Sequence, residues 1–266
     1  MDFSYNFLET TYLAPDVLQI SLNRPDLHNA FNEELIAELT DIGLKLQSSS
    51  DIRIVILTGN GKSFCAGADL NWMKKSKNFS YDENMQDSLN LGKMFHTLDE
   101  LPQAVIGKIN GSAIGGGTGL VSICDISIGI ERAKFGFSEV NLGLLPAVIS
   151  PFIINKIDFR NAREFFLTGE RFTAQTAHSI GLLNYVVKTE DELSEKVIYL
   201  INEIYTSGPA AVKEIKKLIK ELRNFDMVKV LNLTAKKIAT IRTSSEAQEG
   251  ISSFLEKRKP LWFKNI

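Results

Sequence analysis

Apolar residues in the first three quarters of the chain follow two different spacings. Short runs rich in β-branched residues predict buried strands, and apolar residues that recur every three or four positions predict helices. The predicted strands are Val17–Leu22, Ile54–Leu57, Ala104–Ile109 and Ile126–Ile130, and the predicted helices are Asn32–Gln47 and Met85–Leu98. Because strands and helices alternate along this stretch, we expect an α/β core in which the strands pair non-locally.

The pattern changes after about Val187, where only helical spacing remains. The predicted helices of this last part are Glu190–Tyr205, Pro209–Asn224, Met227–Ile241 and Glu246–Lys257. Pro209 is compatible with this prediction, because a proline in the first turn of a helix loses no hydrogen bond there. We therefore expect a mixed core over residues 1–190, followed by a helical region over residues 191–266.

Composition and charge narrow the class of protein. The chain has 266 residues, of which 44% are hydrophobic and 23% are charged, as in soluble globular proteins. Its 30 basic and 32 acidic residues leave a net charge of −2. That balance gives no broad attraction for nucleic acid or for an anionic membrane surface. No uncharged apolar stretch reaches the roughly 18 residues that a membrane span needs, so we expect neither kind of partner.

The cysteines and histidines give no sign of a disulfide framework or of a metal site. The sequence has two cysteines, Cys65 and Cys124, which favours a reducing compartment. Its histidines, His28, His96 and His178, lack the spacing of metal ligands. The N-terminus has no basic segment followed by an apolar run, so we expect no signal peptide and a cytoplasmic location.

Two glycine-rich places invite a nucleotide-binding interpretation that their spacing does not support. A phosphate-binding loop at Gly59–Ser63 would need a glycine where Ile56 lies, inside a predicted strand. A dinucleotide fingerprint at Gly115–Gly119 would need a glycine where Leu120 lies. Neither segment therefore predicts a bound nucleotide of that kind.

Glycine also allows backbone amides to approach a ligand closely. A helix that begins near Gly116 would present free N–H groups that stabilise negative charge. The turn Cys65–Ala68, built of small residues, offers a second set of amides. Small residues serve close packing between a helix and a strand equally well, so glycine content alone leaves both interpretations open.

Motifs spread over nearly the whole chain decide between these interpretations. They are Leu22–Pro25 with Asn29-Ala30, Ser63–Leu70, Asn110–Gly117 with Cys124–Ile126, Phe135–Val140 with Gly143–Pro146, Leu167–Phe172 with Gly181-Leu182, and Phe254–Lys259. In this order they resemble the signature segments of the crotonase superfamily, the enoyl-CoA hydratase/isomerase family. The resemblance implies an α/β fold, a crotonase-like spiral of ββα units with a C-terminal helical trimerisation region. It also implies assembly as a homotrimer or a dimer of trimers.

The same resemblance implies an acyl-CoA thioester as substrate, and no separate cofactor. The thioester carbonyl would be held by the backbone N–H groups that map to Cys65 and Gly116. Such fixed donors can contribute roughly 3–4 kcal/mol each when charge develops on the oxygen, here that of an enolate. The Cys65 thiol itself has no histidine nearby in sequence, so we expect only its backbone to act.

Further residues match positions that contact coenzyme A in the family. The segment implied to follow the adenine side consists of Cys65, Ala66, Gly67, Ala68, Asp69 and Leu70. His28 stands where relatives often carry a basic residue near the phosphates, and Phe254 and Lys257 match positions that reach the coenzyme A of a neighbouring subunit. Within the turn, Asp69 also has the chemistry to hydrogen-bond the backbone and fix the local conformation.

The acid/base residues decide which reaction follows. Hydratases of the family carry two glutamates; the second maps to Glu139, whereas the first maps to Gly119. Hydration with Glu139 alone, isomerisation of a double bond by Glu139, and binding of coenzyme A without turnover are therefore all consistent with the sequence. The segments Gly67–Met73 and Leu145–Pro151 resemble the bacterial methylglutaconyl-CoA hydratase branch. We therefore favour hydration, with 3-methylglutaconyl-CoA from leucine breakdown as the candidate substrate.

Overall fold

The computed structural model of the protein describes residues 3–222 and 227–266. Its strands are β1 (Leu8–Ala14), β2 (Val17–Leu22), β3 (Ile54–Gly59), β4 (Ser63–Cys65), β5 (Ala104–Ile109), β6 (Ser112–Ile114), β7 (Ile126–Ile130), β8 (Lys134–Gly136), β9 (Phe172–Thr173) and β10 (Tyr185–Val187). Its helices are α1 (Glu33–Gln47), α2 (Leu70–Ser76), α3 (Tyr81–Asp99), α4 (Gly116–Ile123), α5 (Ser150–Thr168), α6 (Ala174–Ser179), α7 (Glu190–Tyr205), α8 (Pro209–Glu221), α9 (Met227–Arg242) and α10 (Ser245–Leu255).

The strands form two sheets. The larger has the order β1-β2-β3-β5-β7-β10, and the smaller has the order β4-β6-β8-β9. In the larger sheet β1 pairs with β2 in antiparallel fashion, whereas β2 with β3, β5 with β7 and β7 with β10 are parallel pairs. In the smaller sheet β4, β6 and β8 are parallel, and β9 is antiparallel to β8.

The chain passes repeatedly from the larger sheet to the smaller one and then into a helix. The strand β3 leads to β4 and α2, and β5 leads to β6 and α4. The pair β7 and β8 leads to a short 3-10 turn at Ser138–Leu142, before α5. This repetition confirms the expected spiral of ββα units. Because β4, β6 and β8 are parallel, the segments that follow them meet at one edge of the smaller sheet.

Two compact units divide the chain, one made of residues 1–101 and 105–197 and the other of residues 102–104 and 198–266. A continuous apolar cluster fills the first unit, and its largest fully buried side chains include Phe31, Phe64, Phe95, Phe135 and Phe137. Buried apolar area of this extent supplies the main stabilisation of the unit. The predicted boundary near residue 190 stays a prediction.

The second unit consists mainly of helices, as the sequence predicts for this region. Among its described residues, the large apolar side chains that remain exposed are Ile198, Tyr199, Ile215, Ile219, Leu231, Ile238, Ile251, Phe254, Leu255, Leu261 and Ile266. The predicted helix Pro209–Asn224 is observed to Glu221, and its last residue lies outside the described residues. Within residues 3–222 and 227–266, no helix combines the length and the apolar character that a membrane crossing requires.

Local signals explain where the sequence predictions fall short. The helix predicted from Met85 begins at Tyr81, because Ser80 and Glu83 form a reciprocal capping box. The strand β1 is not predicted, because it lies at the edge of the sheet, is mostly exposed, and its sequence LETTYLA shows no regular apolar alternation. The strand β3 extends to Gly59, into the predicted turn.

Candidate active site

The turn that follows β4 forms one wall of a cavity in the first unit. Ala66, Ala68 and Leu70 are exposed on this turn, whereas Gly67 and Asp69 between them are buried. Ala66, Gly67, Ala68 and Leu70 all line the cavity. Exposed and buried residues therefore alternate along the turn, although Gly67, with a φ of 90°, departs from extended backbone.

The backbone of the same turn indicates which amide faces the cavity. The N–H of Phe31 donates to the carbonyl of Gly67 at 2.7 Å, and the N–H of Asp69 donates to the carbonyl of Phe31 at 2.8 Å. These two bonds form an isolated parallel bridge between Phe31 and Ala68, in which the residues on either side of Ala68 bond to Phe31 and the N–H of Ala68 itself points away from it. Ala68 lies on the cavity wall, so its amide can serve as a donor there.

Cys65, by contrast, is fully buried and lies behind this wall. Burial raises the pKa of its thiol to about 12, against smaller opposing effects of the Gly67 amide and the Arg24 charge. A thiol with so high a pKa is a poor nucleophile at neutral pH. The carbonyl oxygen of Cys65 faces α4, where a Cβ on Gly117 would lie 2.1 Å from it. The structure therefore leaves Cys65, the residue of this turn implied to hold the thioester, out of the cavity, and brings to it Ala68, which was implied to follow the adenine side.

Asp69 fixes the turn, as its chemistry suggests. Its carboxylate accepts from the backbone N–H of Asn71 at 2.7 Å and of Trp72 at 3.4 Å, which caps the N-terminus of α2. The guanidinium of Arg24 lies 2.8 Å from the other carboxylate oxygen, and both side chains are nearly buried. Burial acts to raise the pKa of Asp69, but Arg24 and the two backbone donors outweigh it and the pKa is lowered.

Replacing Asp69 with asparagine should destabilise the protein by about 3–5 kcal/mol, because it leaves the buried Arg24 without its counter-charge. The midpoint of urea unfolding at neutral pH measures this effect. Since the pKa of Asp69 is lowered in the folded state, the difference should shrink as the pH falls through and below the ordinary pKa of an aspartate. A variant as stable as the parent at neutral pH would contradict the role of this ion pair.

The N-terminus of α4 supplies the second wall. Gly115, at the N-cap, has a φ of 53°, which glycine adopts without strain, and its N–H donates to the carbonyl of Gly136 at 2.8 Å. Gly116 begins the helix and lines the cavity, so its N–H belongs to the first turn, where no intrahelical acceptor exists. A Cβ at Gly116 would lie 2.9 Å from the ring of Phe31, so glycine is required here. The expected helix start at Gly116 is confirmed.

Glu139 reaches the same place from the 3-10 turn after β8. A Cβ at Gly115 would lie 2.8 Å from its Oε1, so the carboxylate lies directly against the start of α4. Its Oε2 is buried and has no hydrogen-bond partner among the described residues. Burial raises the pKa of Glu139, with a smaller opposing effect of its own backbone N–H. A raised pKa and an unpartnered oxygen are typical of a proton-transferring carboxylate.

Gly119, at the position where hydratases of the family carry their other glutamate, is enclosed by apolar side chains. A Cβ at Gly119 would lie 2.6 Å from Cγ2 of Ile149 and 2.9 Å from Cζ of Phe95. Both of these side chains are buried. The volume of a second carboxylate is therefore occupied by hydrocarbon, and no carboxylate stands at this position beside Glu139.

The cavity that these walls enclose has a volume of about 710 Å³ and is lined mainly by apolar side chains. Three of its polar lining residues have no role predicted from the sequence: Trp72, Asp87 and Arg171. The indole N–H of Trp72 donates to Asp87 at 3.2 Å, and burial raises the pKa of Asp87. Arg171 precedes β9 and lies against Gly136, at the edge where the turns meet. Arg171 lies within a motif already matched, whereas nothing in the local sequence indicates Asp87.

The remaining predicted binding residues lie in different places. His28 lines the cavity, and its Nδ1 lies 3.0 Å from the hydroxyl of Ser63. Phe254, which is 82% exposed, lies near the end of α10, and Lys257 follows that helix. The predicted contacts of Phe254 and Lys257 with a neighbouring subunit's substrate stay predictions.

The arrangement suits one kind of chemistry. Two glycine- and alanine-rich backbone segments present amide donors, and a desolvated carboxylate lies beside one of them. Such a site can hold a carbonyl oxygen while a proton is moved on a neighbouring carbon. Within the described ranges there is no group of three or more histidine, cysteine, aspartate or glutamate side chains that could hold a metal ion.

Comparison with known proteins places the chain among acyl-CoA enzymes. The sequence profile described as "Enoyl-CoA hydratase/isomerase" matches residues 14–265. A short-chain-enoyl-CoA hydratase of Clostridium acetobutylicum is 32% identical over 94% of this chain and 95% of its own length. A crotonyl-CoA hydratase of Syntrophomonas wolfei is also 32% identical, over 90% of this chain and 91% of its own. The crystal structure of an enoyl-CoA hydratase from Shewanella pealeana superposes with a TM-score of 0.91 and 38% identity, covering 97% of this chain and 96% of that one.

Proposed function

Because the chain belongs to the enoyl-CoA hydratase/isomerase family of enzymes, we propose that it adds water across the double bond of a 2-enoyl-CoA. One observation carries this proposal: the buried, unpartnered Oε2 of Glu139, beside the free N-terminus of α4. A carboxylate oxygen that lacks a hydrogen bond is costly to bury, so the position of Oε2 indicates a partner that arrives with the substrate.

The amides that hold the thioester oxygen are those of Gly116 and Ala68. Gly116 agrees with the residue expected from the resemblance. Ala68 takes the place of Cys65, because it lies on the cavity wall with its N–H directed away from Phe31. Two fixed donors stabilise the enolate oxygen that forms when water attacks the β-carbon.

Glu139 performs both proton transfers in this proposal. Its carboxylate accepts a proton from water while the water oxygen bonds to the β-carbon, and the electron pair of the double bond moves toward the thioester carbonyl. The neutral acid that results then gives its proton to the α-carbon, which restores the carboxylate. The net change is the addition of one water, and burial favours the neutral form that has to exist between the two steps.

The direct test is to mix the purified protein with but-2-enoyl-CoA and follow the ultraviolet absorbance of the conjugated thioester. We expect the absorbance to fall and mass spectrometry to show a product heavier by one water. A panel of short, longer and branched 2-enoyl-CoA thioesters is tested as well, because an enzyme with a narrow acyl specificity could leave but-2-enoyl-CoA unchanged. If every member of the panel is recovered unchanged, the proposal fails.

For the acyl group, we propose 3-methylglutaconyl-CoA as the specific candidate. Its support is the resemblance of Gly67–Met73 and Leu145–Pro151 to the methylglutaconyl-CoA hydratase branch. The exposed Arg171 on the cavity wall adds a cation that can meet the carboxylate of this acyl group. In the same panel, we expect a higher kcat/KM for this thioester than for but-2-enoyl-CoA, and the reverse order would remove the candidate.

Isomerisation is the second candidate function, and the apolar surroundings of Gly119 favour it. A single carboxylate can take a proton from one carbon of an enoyl chain and return it to another, without positioning water. Supplying a 3-enoyl-CoA to the same preparation separates the two reactions. Formation of the 2-enoyl thioester faster than its hydration would make isomerisation the main activity.

We also propose that the chain assembles as a homotrimer or a dimer of trimers, as the resemblance implies. The apolar side chains that the second unit leaves exposed, among them Leu231, Leu255 and Leu261, support association.

A further inference from the structure

The hydrocarbon that closes the space at Gly119 lies on the cavity wall. Ile149 is only 3% exposed, yet it is among the residues that line the cavity. Its Cγ2 lies 2.6 Å from the place where a Cβ on Gly119 would stand. The wall that the substrate meets at this point is therefore an aliphatic side chain.

The position of Ile149 relative to Glu139 follows from the helix α4. Glu139 lies against Gly115 and Ile149 lies against Gly119, and the N–H of Gly119 donates to the carbonyl of Gly115 at 3.1 Å. Residues four apart lie on one face of a helix, separated by about 6 Å along its axis. The carboxylate and the isoleucine therefore occupy successive turns beside one cavity.

We infer that Ile149 is a specificity-determining residue, and that it favours 2-enoyl-CoA thioesters that carry an alkyl branch on the β-carbon. This inference rests on the proposed hydration. With the thioester oxygen at the amide of Gly116 and the α-carbon beside Glu139, the β-carbon extends toward Gly119, where Ile149 lies. A methyl group on that carbon gains apolar contact, which a hydrogen atom does not.

Aromatic rings pack beside the space at Gly119 that Ile149 also occupies. Phe95, which also contacts the space above Gly119, is fully buried. Its ring centroid lies 6.2 Å from that of Phe31 and 5.7 Å from that of Phe152. Packed interiors do not yield easily, so the shape of this wall is fixed before the substrate arrives.

The test is the ratio of kcat/KM for 3-methylbut-2-enoyl-CoA to that for but-2-enoyl-CoA, two thioesters that differ by one methyl group. The ratio is measured for the parent protein, Ile149→Val and Ile149→Thr. Valine and threonine share a shape and differ in polarity. We expect threonine to lower the ratio by about tenfold relative to the parent, in line with the effect of one methyl group in an apolar pocket. We expect valine to lower it less.

Ile153 offers a matched control. It is fully buried one turn further along α5 and lies outside the cavity lining, so Ile153→Thr should change stability without changing the ratio. If the kcat/KM ratio is equal in the parent and in both Ile149 variants, the inference is wrong. In that case the proposed hydration still stands, provided that the parent hydrates either thioester. If the parent hydrates neither thioester nor any other of the panel, the proposed function itself has failed.

Discussion

Replacing Glu139 with glutamine should slow hydration of a 2-enoyl-CoA by at least about 10²-fold, the contribution typical of a positioned general acid–base. Glutamine keeps the shape of the side chain but cannot accept and return a proton. The assay is the loss of conjugated-thioester absorbance under saturating substrate. Binding of a saturated acyl-CoA, measured by calorimetry, should change little, because the amides of Gly116 and Ala68 remain. A glutamine variant as fast as the parent would exclude Glu139 as the proton carrier, and an inactive parent that still binds acyl-CoA would indicate a binding protein.

The pH dependence of the parent follows from the same carboxylate. Burial raises the pKa of Glu139 above its ordinary value of 4.5, so kcat/KM should fall as the pH drops through this raised pKa. Stability should respond in the opposite sense. Between the ordinary and the raised pKa the folded protein binds more protons than the unfolded chain, so the free energy of unfolding falls as the pH rises through that window. The glutamine variant has no titrating group at this position, so its free energy of unfolding does not fall in that window. It should therefore be more stable than the parent at neutral pH.

Replacing Gly117 with alanine should abolish most activity and destabilise the fold. The new Cβ would lie 2.1 Å from the carbonyl oxygen of Cys65 and 2.9 Å from its carbonyl carbon, and neither atom belongs to a flexible side chain. To relieve this overlap, the start of α4 has to move away from the β4 turn, which separates the amides of Gly116 and Ala68. We expect kcat to fall by about 10²–10³-fold, as when one oxyanion donor is lost. We expect the free energy of unfolding to fall by about 3 kcal/mol, the upper part of the range for overpacking.

Gly92 provides the control for this substitution. It lies inside α3, and the nearest atom to a Cβ there is Cγ1 of Val148 at 3.7 Å, an ordinary contact. Gly92→Ala should therefore stabilise the helix by about 0.5–1 kcal/mol. If Gly117→Ala leaves kcat and the free energy of unfolding no lower than Gly92→Ala does, the close approach of Cys65 to α4 is unimportant.

Elements buried on both sides were predictable from local sequence. The strands β2, β5 and β7 begin and end where their β-branched runs do, because a strand buried on both faces is apolar at nearly every position. The edge strand β1 was not predictable, since its sequence LETTYLA is partly polar and has no regular alternation, as in a loop. The start of α3 depends on a capping box that apolar spacing does not reveal.

Some residues of the candidate site were predictable from the sequence, and others were not. Glu139 and Gly116 could be identified as candidates from the sequence, because both lie within segments that match the family's motifs. The choice between the amides of Cys65 and Ala68 needed the hydrogen bonds that Phe31 makes to the turn. Asp87 reaches the cavity from a helix whose sequence shows only that it is amphipathic.

By itself the sequence determined the buried strands β2, β5 and β7, the family resemblance and the single glutamate at position 139, but not the strand β1 or the helices α2 and α5. It also showed that position 119 is glycine, but not what fills the space beside it. Only the tertiary structure decided that Ile149 and Phe95 occupy that space and that burial raises the pKa of Glu139. The physical reason is that desolvation and packing depend on residues distant in the chain, which local patterns do not report. The carboxylate of Glu139 and the hydrocarbon of Ile149 lie beside one cavity only once the ββα units have brought them together along α4.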